Sequence, residues 1–262
     1  MRRGEVFWGV LLVLLGGLFF LKAAGYLAGD VFGWFWPICV ILAGVWILLG
    51  GSRSRAAGRS MQTFTVPLQG AREASLQINH GVGRMELRAG ASTDQFLKGT
   101  SALAMNLNSK LAGQRLEVAI DAGPSVFPFI GPEDGVWTYM LNQGIPTTLS
   151  IHAGASHLEV DLSELQVTHF SFDGGASSLS LTLPARVQNA LVELKAGATS
   201  MQLKVPEGLA VRFRTKSVGS LRVDEGRFPQ REPGLYQSAD YESATHRADI
   251  SVDGGATSIQ LT

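Results

Sequence analysis

Apolar and polar residues alternate along much of the chain, in short runs that pivot on a glycine. In the segment "FSFDGGASSLSL", apolar side chains stand five and three positions before Gly175 and four and six positions after it. Four further segments repeat this spacing around Gly81, Gly154, Gly197 and Gly255. Because side chains alternate between the two faces of a strand, the pattern predicts strand, turn, strand, with each half burying one face.

The distance between these copies predicts how they stack. The central copies recur every 20 to 22 residues, at 154, 175, 197 and about 217, where "VRFRTKSVGSLRV" is an imperfect sixth copy with one extra residue. Such a period is typical of solenoids, in which neighbouring turns bury one another's inner faces. We therefore predict an all-β, single-stranded β-solenoid over residues 61–262.

The five glycines are interpreted as structural turn residues. A tight corner needs a positive φ or a close approach of two backbones, and glycine accepts both without steric cost. The copies share the apolar spacing around the corner and no fixed polar side chain, so the pattern favours a role in shape over a role in catalysis.

Two uncharged runs precede the repeats, at 6–21 and 31–49. At about 1.5 Å rise per residue they would span roughly 24 and 28 Å as helices, close to the hydrocarbon thickness of a bilayer. They predict a two-helix transmembrane hairpin over residues 1–50, with spans of about 6–28 and 31–49. A cleaved signal peptide is the alternative for the first run, since two arginines precede it.

Basic residues predict the orientation of this hairpin. Five arginines flank its two outer ends, whereas the short connection between the spans contains one basic residue, Lys22. The positive-inside rule then places both ends, and the domain that follows, in the cytoplasm. Residues 51–60, "GSRSRAAGRS", predict a flexible basic linker whose arginines also suit the anionic headgroups of membrane lipids.

These segments resemble a known family. Residues 147–184, "TTLSIHAGASHLEVDLSELQVTHFSFDGGASSLSLTLP", resemble the turns of the toast-rack β-domains of LiaF-like bacterial membrane proteins. The runs "GVLLVLLGGLFFL" and "WFWPICVILAGVWILL" resemble the LiaI/LiaF-type transmembrane region of the cell-wall-active antibiotics response family. The resemblance implies a membrane-anchored β-solenoid, and some relatives restrain a sensor kinase that responds to cell-envelope stress.

Two segments interrupt the period, at 121–146 and 226–244. The first is rich in proline and glycine and carries four aromatic residues that are candidates for partner binding: Phe127, Phe129, Trp137 and Tyr139. A long irregular loop with aromatics is typical of a binding loop. The alternative is that these aromatics cover an open end of the solenoid core, and the residues alone leave both possibilities open.

Composition and motifs disfavour an enzyme or a nucleic-acid-binding protein. The net charge is zero, and beyond residue 59 the chain has 16 basic and 20 acidic residues, a poor footprint for nucleic acid. A single cysteine, Cys39, excludes an intramolecular disulfide. The sequence lacks HExxH, GxSxG, GxGxxG, Walker A and CxxC motifs, so we expect no catalytic residues, cofactor or metal. Isolated histidines are interpreted as surface residues: His80, His152, His157, His169 and His246.

Two functional hypotheses follow. The first is a non-enzymatic accessory protein of the cell membrane whose β-solenoid regulates a partner, such as a sensor kinase for envelope stress. The second is a polymerising or adhesive scaffold that self-associates through strand edges, because the sequence ends in the strand-like segment "SIQLT". An enzyme with a site built from scattered residues is the least favoured alternative.

Overall fold

The computed structural model describes residues 62–101, 105–122, 136–216, 218–255 and 257–262. These residues belong to one compact unit, Ser60–Thr262. The predicted hairpin over 1–50 and the linker over 51–60 lie outside the described residues, and so do Phe127 and Phe129. No helix within the described ranges is long and apolar enough to span a membrane.

Seventeen strands form the described part of the chain, which confirms the all-β prediction for these residues. In chain order they are β1 (Gln62–Pro67), β2 (Glu73–Ala89), β3 (Gln95–Ser101), β4 (Met105–Ala112), β5 (Arg115–Ala122), β6 (Val136–Leu141), β7 (Thr147–Asp161), β8 (Val167–Gly174), β9 (Ser178–Thr182), β10 (Asn189–Ala196), β11 (Ser200–Lys204), β12 (Ala210–Lys216), β13 (Ser220–Val223), β14 (Gln230–Glu232), β15 (Leu235–Gln237), β16 (Arg247–Gly254) and β17 (Ser258–Leu261).

Each sequence repeat forms one rung, with a first arm, a glycine corner and a second arm. In the Gly154 rung, Leu149 and Ile151 of the first arm and Leu158 and Val160 of the second arm are all buried. The other rungs bury the same positions, because a strand places every second side chain on one face. We name the rungs after their corner glycines: the Gly81 rung (β2), Gly154 rung (β7), Gly175 rung (β8 and β9), Gly197 rung (β10 and β11) and Gly255 rung (β16 and β17). The imperfect sixth copy forms the edge rung (β12 and β13).

Parallel pairing of the rungs builds one continuous sheet whose two arms, named the first-arm sheet and the second-arm sheet, enclose one core. The first arms form a sheet in the order β4, β5, β2, β7, β8, β10, β16, β12, β15, β14. The second arms form a sheet in the order β1, β3, β6, β2, β7, β9, β11, β17, β13. The apolar side chains of both sheets meet between them, which leaves two outer polar faces.

The order of the rungs in space departs from their order along the chain. The Gly255 rung lies between the Gly197 rung and the edge rung, although the edge rung comes earlier in the sequence. Strand β17 is therefore hydrogen-bonded on both sides, to β11 and to β13. The expectation that "SIQLT" leaves an unpaired edge is wrong, because this segment lies inside the sheet.

The interruption at 121–146 contains regular structure. Its described part includes β6, which pairs in parallel with β2 and antiparallel with β3. Trp137 and Tyr139 on β6 are 3% and 0% exposed, so they pack into the core and are unable to contact a partner from the surface. Their assignment as partner-binding residues is wrong, and they cover the Gly81 rung at one end of the solenoid instead.

The other end of the solenoid is covered on one arm only. The interruption at 226–244 contains the short antiparallel pair β14 and β15, and β15 pairs with β12 of the edge rung. Tyr236 of β15 packs against Phe213 of β12, with a distance of 6.3 Å between the ring centroids. In the described part of the chain, β13 pairs with β17 on one side and has no strand on its other side.

Candidate interaction surface

The corner glycines lie in a stack, each against the backbone of its neighbour. A β-carbon added at Gly154 would lie 2.5 Å from the carbonyl oxygen of Gly81, where no real side chain fits. The corresponding distances are 3.2 Å from Gly175 to Gly154, 3.3 Å from Gly197 to Gly175 and 3.5 Å from Gly255 to Gly197. None of these glycines has a positive φ, so close backbone approach is the reason for glycine at Gly154, Gly175 and Gly197.

Hydroxyl groups reinforce the stack, and the sequence analysis missed them. The residue two positions after the corner glycine is Ser or Thr in four of the five copies. In three rungs its hydroxyl donates to the carbonyl of the preceding corner glycine: Ser156 to Gly81 at 3.3 Å, Ser177 to Gly154 at 3.0 Å and Thr199 to Gly175 at 3.3 Å. The hydroxyl of Thr257 has no partner among the described residues. The hydroxyls of Ser156, Ser177 and Thr199 therefore link neighbouring rungs, which is a structural role.

His80 lies inside the Gly81 corner and not at the surface as predicted. Its side chain is 2% exposed and packs edge-on against Trp137, with 5.6 Å between the ring centroids. Neither ring nitrogen makes a well-formed hydrogen bond to another described residue. Burial lowers the pKa of His80 because the charged imidazolium loses its hydration, which favours the neutral ring in the folded chain.

The other histidines do not form a metal site. His152 is exposed, while His157 and His169 each lie beside a glutamate on an outer face, at 3.3 Å from Glu159 and 3.5 Å from Glu193. No group of three or more metal-ligating side chains occurs in the described ranges. The hypothesis of a site built from scattered residues therefore receives no support from these positions.

The outer face of the first-arm sheet carries regularly spaced charges. One row runs across β8, β10, β16 and β12 and contains Asp173, Lys195, Asp253 and Lys216 in register. All four side chains are exposed, and none of them takes part in an ion pair within the described residues. We call the outward residues of these four strands the charged face. It also contains Leu191, whose 40% exposure is high for an aliphatic side chain.

The outer face of the second-arm sheet has few charged residues between β9 and β13. Most of its outward residues there are small or amide side chains that align across the strands: Ser178, Ser180, Ser200, Gln202, Ser258, Gln260 and Ser220. Lys204 and Arg222 are the charged ones among the described residues. We call this surface the serine face. The Ser220 and Ser258 hydroxyls are hydrogen-bonded to each other at 3.0 Å. The two outer faces of one solenoid therefore differ sharply in charge.

Comparison with known proteins agrees with the rung architecture. The family described as "N-terminal domain of toast_rack, DUF2154" matches residues 55–204, which end at the last residue of β11. The family described as "LiaF transmembrane domain" matches residues 5–81. No curated protein matches the sequence at a significant level.

Two solved structures are similar to this chain. A "putative cell adhesion protein" from Clostridium sporogenes has a TM-score of 0.70 at 16% identity, and the match covers 77% of this chain and 98% of that chain. A "putative adhesin" from Bacteroides fragilis matches at 11% identity over 78% of this chain and 96% of that chain, with a TM-score of 0.26 that carries no argument. The first similarity shows a shared fold. Since the toast-rack match covers more than half of the sequence and the LiaF match precedes it, the chain belongs to the LiaF-like toast-rack membrane proteins.

Proposed function

We propose that this membrane protein is a non-enzymatic regulator whose solenoid binds a membrane sensor kinase through the charged face. The two families that match the chain are regulatory or structural, and a stack of hydrogen-bonded rungs provides a rigid surface for binding. We also propose that both ends of the membrane hairpin lie in the cytoplasm, which would place the solenoid beside the cytoplasmic domains of such a kinase.

The observation that carries this proposal is the row of unpaired charges on the charged face. Lys195 lies between Asp173 and Asp253 on the neighbouring strands, and Lys216 lies beyond Asp253. Because these side chains have no ion-pair partners among the described residues, their charges are available to a partner. Fixed charges of alternating sign favour one complementary surface and repel others, which gives specificity for one partner.

Crosslinking and pull-down of the full-length protein from native membranes tests this proposal. We expect a histidine kinase to be recovered with the wild type and to be lost with Lys195→Glu, which places three negative charges side by side. The matched control is Lys110→Glu on β4, which is exposed at the opposite end of the first-arm sheet. Absence of a kinase from the wild-type sample, or equal recovery with both variants, would contradict the proposal.

A reporter fused after residue 262 tests the proposed orientation independently. We expect its activity in the cytoplasm only, because basic residues flank both outer ends of the predicted hairpin. Activity on the other side of the membrane would contradict both the orientation and this class of partner.

A polymerising or adhesive scaffold is the second candidate. The name of the Clostridium sporogenes protein favours it, and so does the outer edge of β13, which pairs with no strand among the described residues. Arg222 is exposed on this short strand, and charged residues on short edges oppose edge-to-edge growth. Light scattering of the Ser60–Thr262 unit separates the candidates, since only a scaffold would grow without limit as the concentration rises.

A further inference from the structure

The Gly255 rung occupies a slot between two segments that come earlier in the chain. All eight residues of β16 pair with β10, and seven of them also pair with β12 on the other side. Strand β17 pairs in the same way with β11 and β13. The Gly197 rung and the edge rung follow each other in sequence, yet every strand contact between them passes through the inserted rung.

The register shows that the slot can close without the inserted rung. Lys195 of β10 and Lys216 of β12 both pair with Asp253, and Ser200 and Ser220 of the second arms both pair with Ser258. The two outer strands therefore already share one register. If the Gly255 rung dissociated from the slot, the edge rung could move by one strand spacing, about 4.8 Å, and pair directly with the Gly197 rung.

The corner of the inserted rung is less crowded than the corners at Gly154, Gly175 and Gly197 and lacks their side-chain hydrogen bond. A β-carbon at Gly255 would be in ordinary contact distance, at 3.5 Å, whereas the inner corners are tighter. Thr257 also lacks the hydroxyl bond that Ser156, Ser177 and Thr199 make to the preceding rung. The Gly255 rung is therefore held by its strand pairing, by its buried apolar side chains and by backbone hydrogen bonds at its corner, such as Gly255 N–H to the Ala196 carbonyl at 3.2 Å.

The buried apolar side chains of the Gly255 rung make its exposure to water unfavourable. Ile250, Val252, Ile259 and Leu261 are at most 2% exposed, and withdrawal would place them in water. A second copy of this chain offers a slot with the same register and the same apolar neighbours. Exchange of one identical element between two copies keeps the same contacts, so it costs little free energy.

We infer that two copies of this chain exchange their Gly255 rungs, so that the rung of each copy fills the slot of the other. Residues 238–246 connect β15 to β16 and can reach about 30 Å when extended. Tyr241 in this segment donates a hydrogen bond to Asp249 at 2.7 Å and also lies against Arg212 of β12 at 4.1 Å, so the exchange keeps the first contact and breaks the second. Attachment to the same membrane raises the effective concentration of the second copy. The inference is independent of the kinase proposed above.

Disulfide formation between two differently tagged full-length chains tests the exchange. Both chains carry Cys39→Ser; one also carries Glu193→Cys and the other Ser251→Cys, two outward positions in register on β10 and β16. The spacing of paired strands, about 4.8 Å, lies within the Cα range of disulfides. We expect co-expressed chains to give an oxidised dimer that contains both tags.

Two controls make the result decisive. Glu193→Cys and Ser251→Cys on one chain report whether the rung is inserted at all. Ser171→Cys and Glu193→Cys on separate chains measure the disulfides that form when the outer faces of two chains meet without any exchange of rungs. Ser171 is the neighbour of Glu193 on β8. We expect the 193/251 pair to give a several-fold higher yield of mixed dimer than the 171/193 pair. Equal yields, absence of the mixed dimer, or absence of any 193–251 disulfide, within or between copies, from the chain that carries both cysteines would each overturn the inference.

Discussion

The corners at Gly154 and Gly255 have the same sequence pattern but different surroundings. At Gly154 an added β-carbon would lie 2.5 Å from the Gly81 carbonyl, whereas at Gly255 the nearest backbone atom would be 3.5 Å away. The hydroxyl that follows Gly154 bonds to the preceding rung, and the hydroxyl that follows Gly255 has no described partner. The comparison teaches that the repeat encodes the shape of a rung, while the position in the stack decides how strongly its corner is held.

The largest effect is expected for Gly154→Ala. Its methyl group would collide with a backbone oxygen that the neighbouring rung holds in place, and overpacking of this kind costs about 2 to 3 kcal/mol. The matched control is Gly81→Ala, whose methyl group would meet no atom within 4 Å. Urea unfolding of the detergent-solubilised protein, followed by the circular dichroism of the sheet, measures both. Equal stability of the two variants would contradict the close approach at Gly154.

A smaller effect is expected for Gly175→Ala, which tests whether tolerance increases along the stack. The added β-carbon would lie 3.2 Å from the Gly154 carbonyl, so the corner must shift slightly, at a cost of about 1 kcal/mol. Gly255→Ala should change the free energy of unfolding by less than about 0.5 kcal/mol. The same urea experiment measures both variants, and a larger loss at Gly255 than at Gly175 would reverse the predicted order.

The hydroxyl groups two positions after the corner glycines predict a further difference between the inner corners and the Gly255 corner. Ser177→Ala removes the 3.0 Å hydrogen bond to the Gly154 carbonyl and should cost about 1 kcal/mol. Thr257→Val keeps the shape of the side chain and removes a buried hydroxyl without a described partner, so it should be neutral or stabilising. Thermal denaturation of the two variants gives the comparison. A clear loss for Thr257→Val would show that this hydroxyl is bonded after all.

The smallest effect concerns the dependence of stability on pH at the Gly81 end. Because burial lowers the pKa of His80 in the folded state, the unfolded chain binds a proton more readily. Stability should be complete above about pH 6.5, the ordinary histidine pKa, and should fall as the pH drops below it. His80→Phe should flatten this dependence. Identical pH profiles for His80→Phe and the wild type would refute the assignment.

Much of the rung itself was predictable, because period-2 burial and the glycine corner are local properties of the sequence. The spacing around Gly175 predicts two arms that bury Phe170, Phe172, Leu179 and Leu181, and all four are buried. The Ser or Thr two positions after the corner glycine was also visible in the sequence. Its role was missed because it becomes meaningful only when a second rung lies against it.

Features that depend on contacts between distant segments could not be predicted. Trp137 and Tyr139 follow a segment rich in proline and glycine, and nothing local shows that β2 and β3 enclose them. The order of the rungs was hidden for a similar reason. The spacing from Gly197 to the sixth copy suits direct stacking, and the inserted Gly255 rung preserves the same register on both sides.

The central claim is that the Gly255 rung lies between two rungs that are neighbours in sequence. It is tested most directly by disulfides between pairs of introduced cysteines in the full-length protein with Cys39→Ser, whether they form within one chain or between two copies. We predict that Glu193→Cys joins efficiently to Ser251→Cys, its neighbour on β16, and poorly to Arg214→Cys, which lies one strand further away on β12. Efficient joining of positions 193 and 214, with little joining of 193 and 251, would show stacking in sequence order and contradict the account.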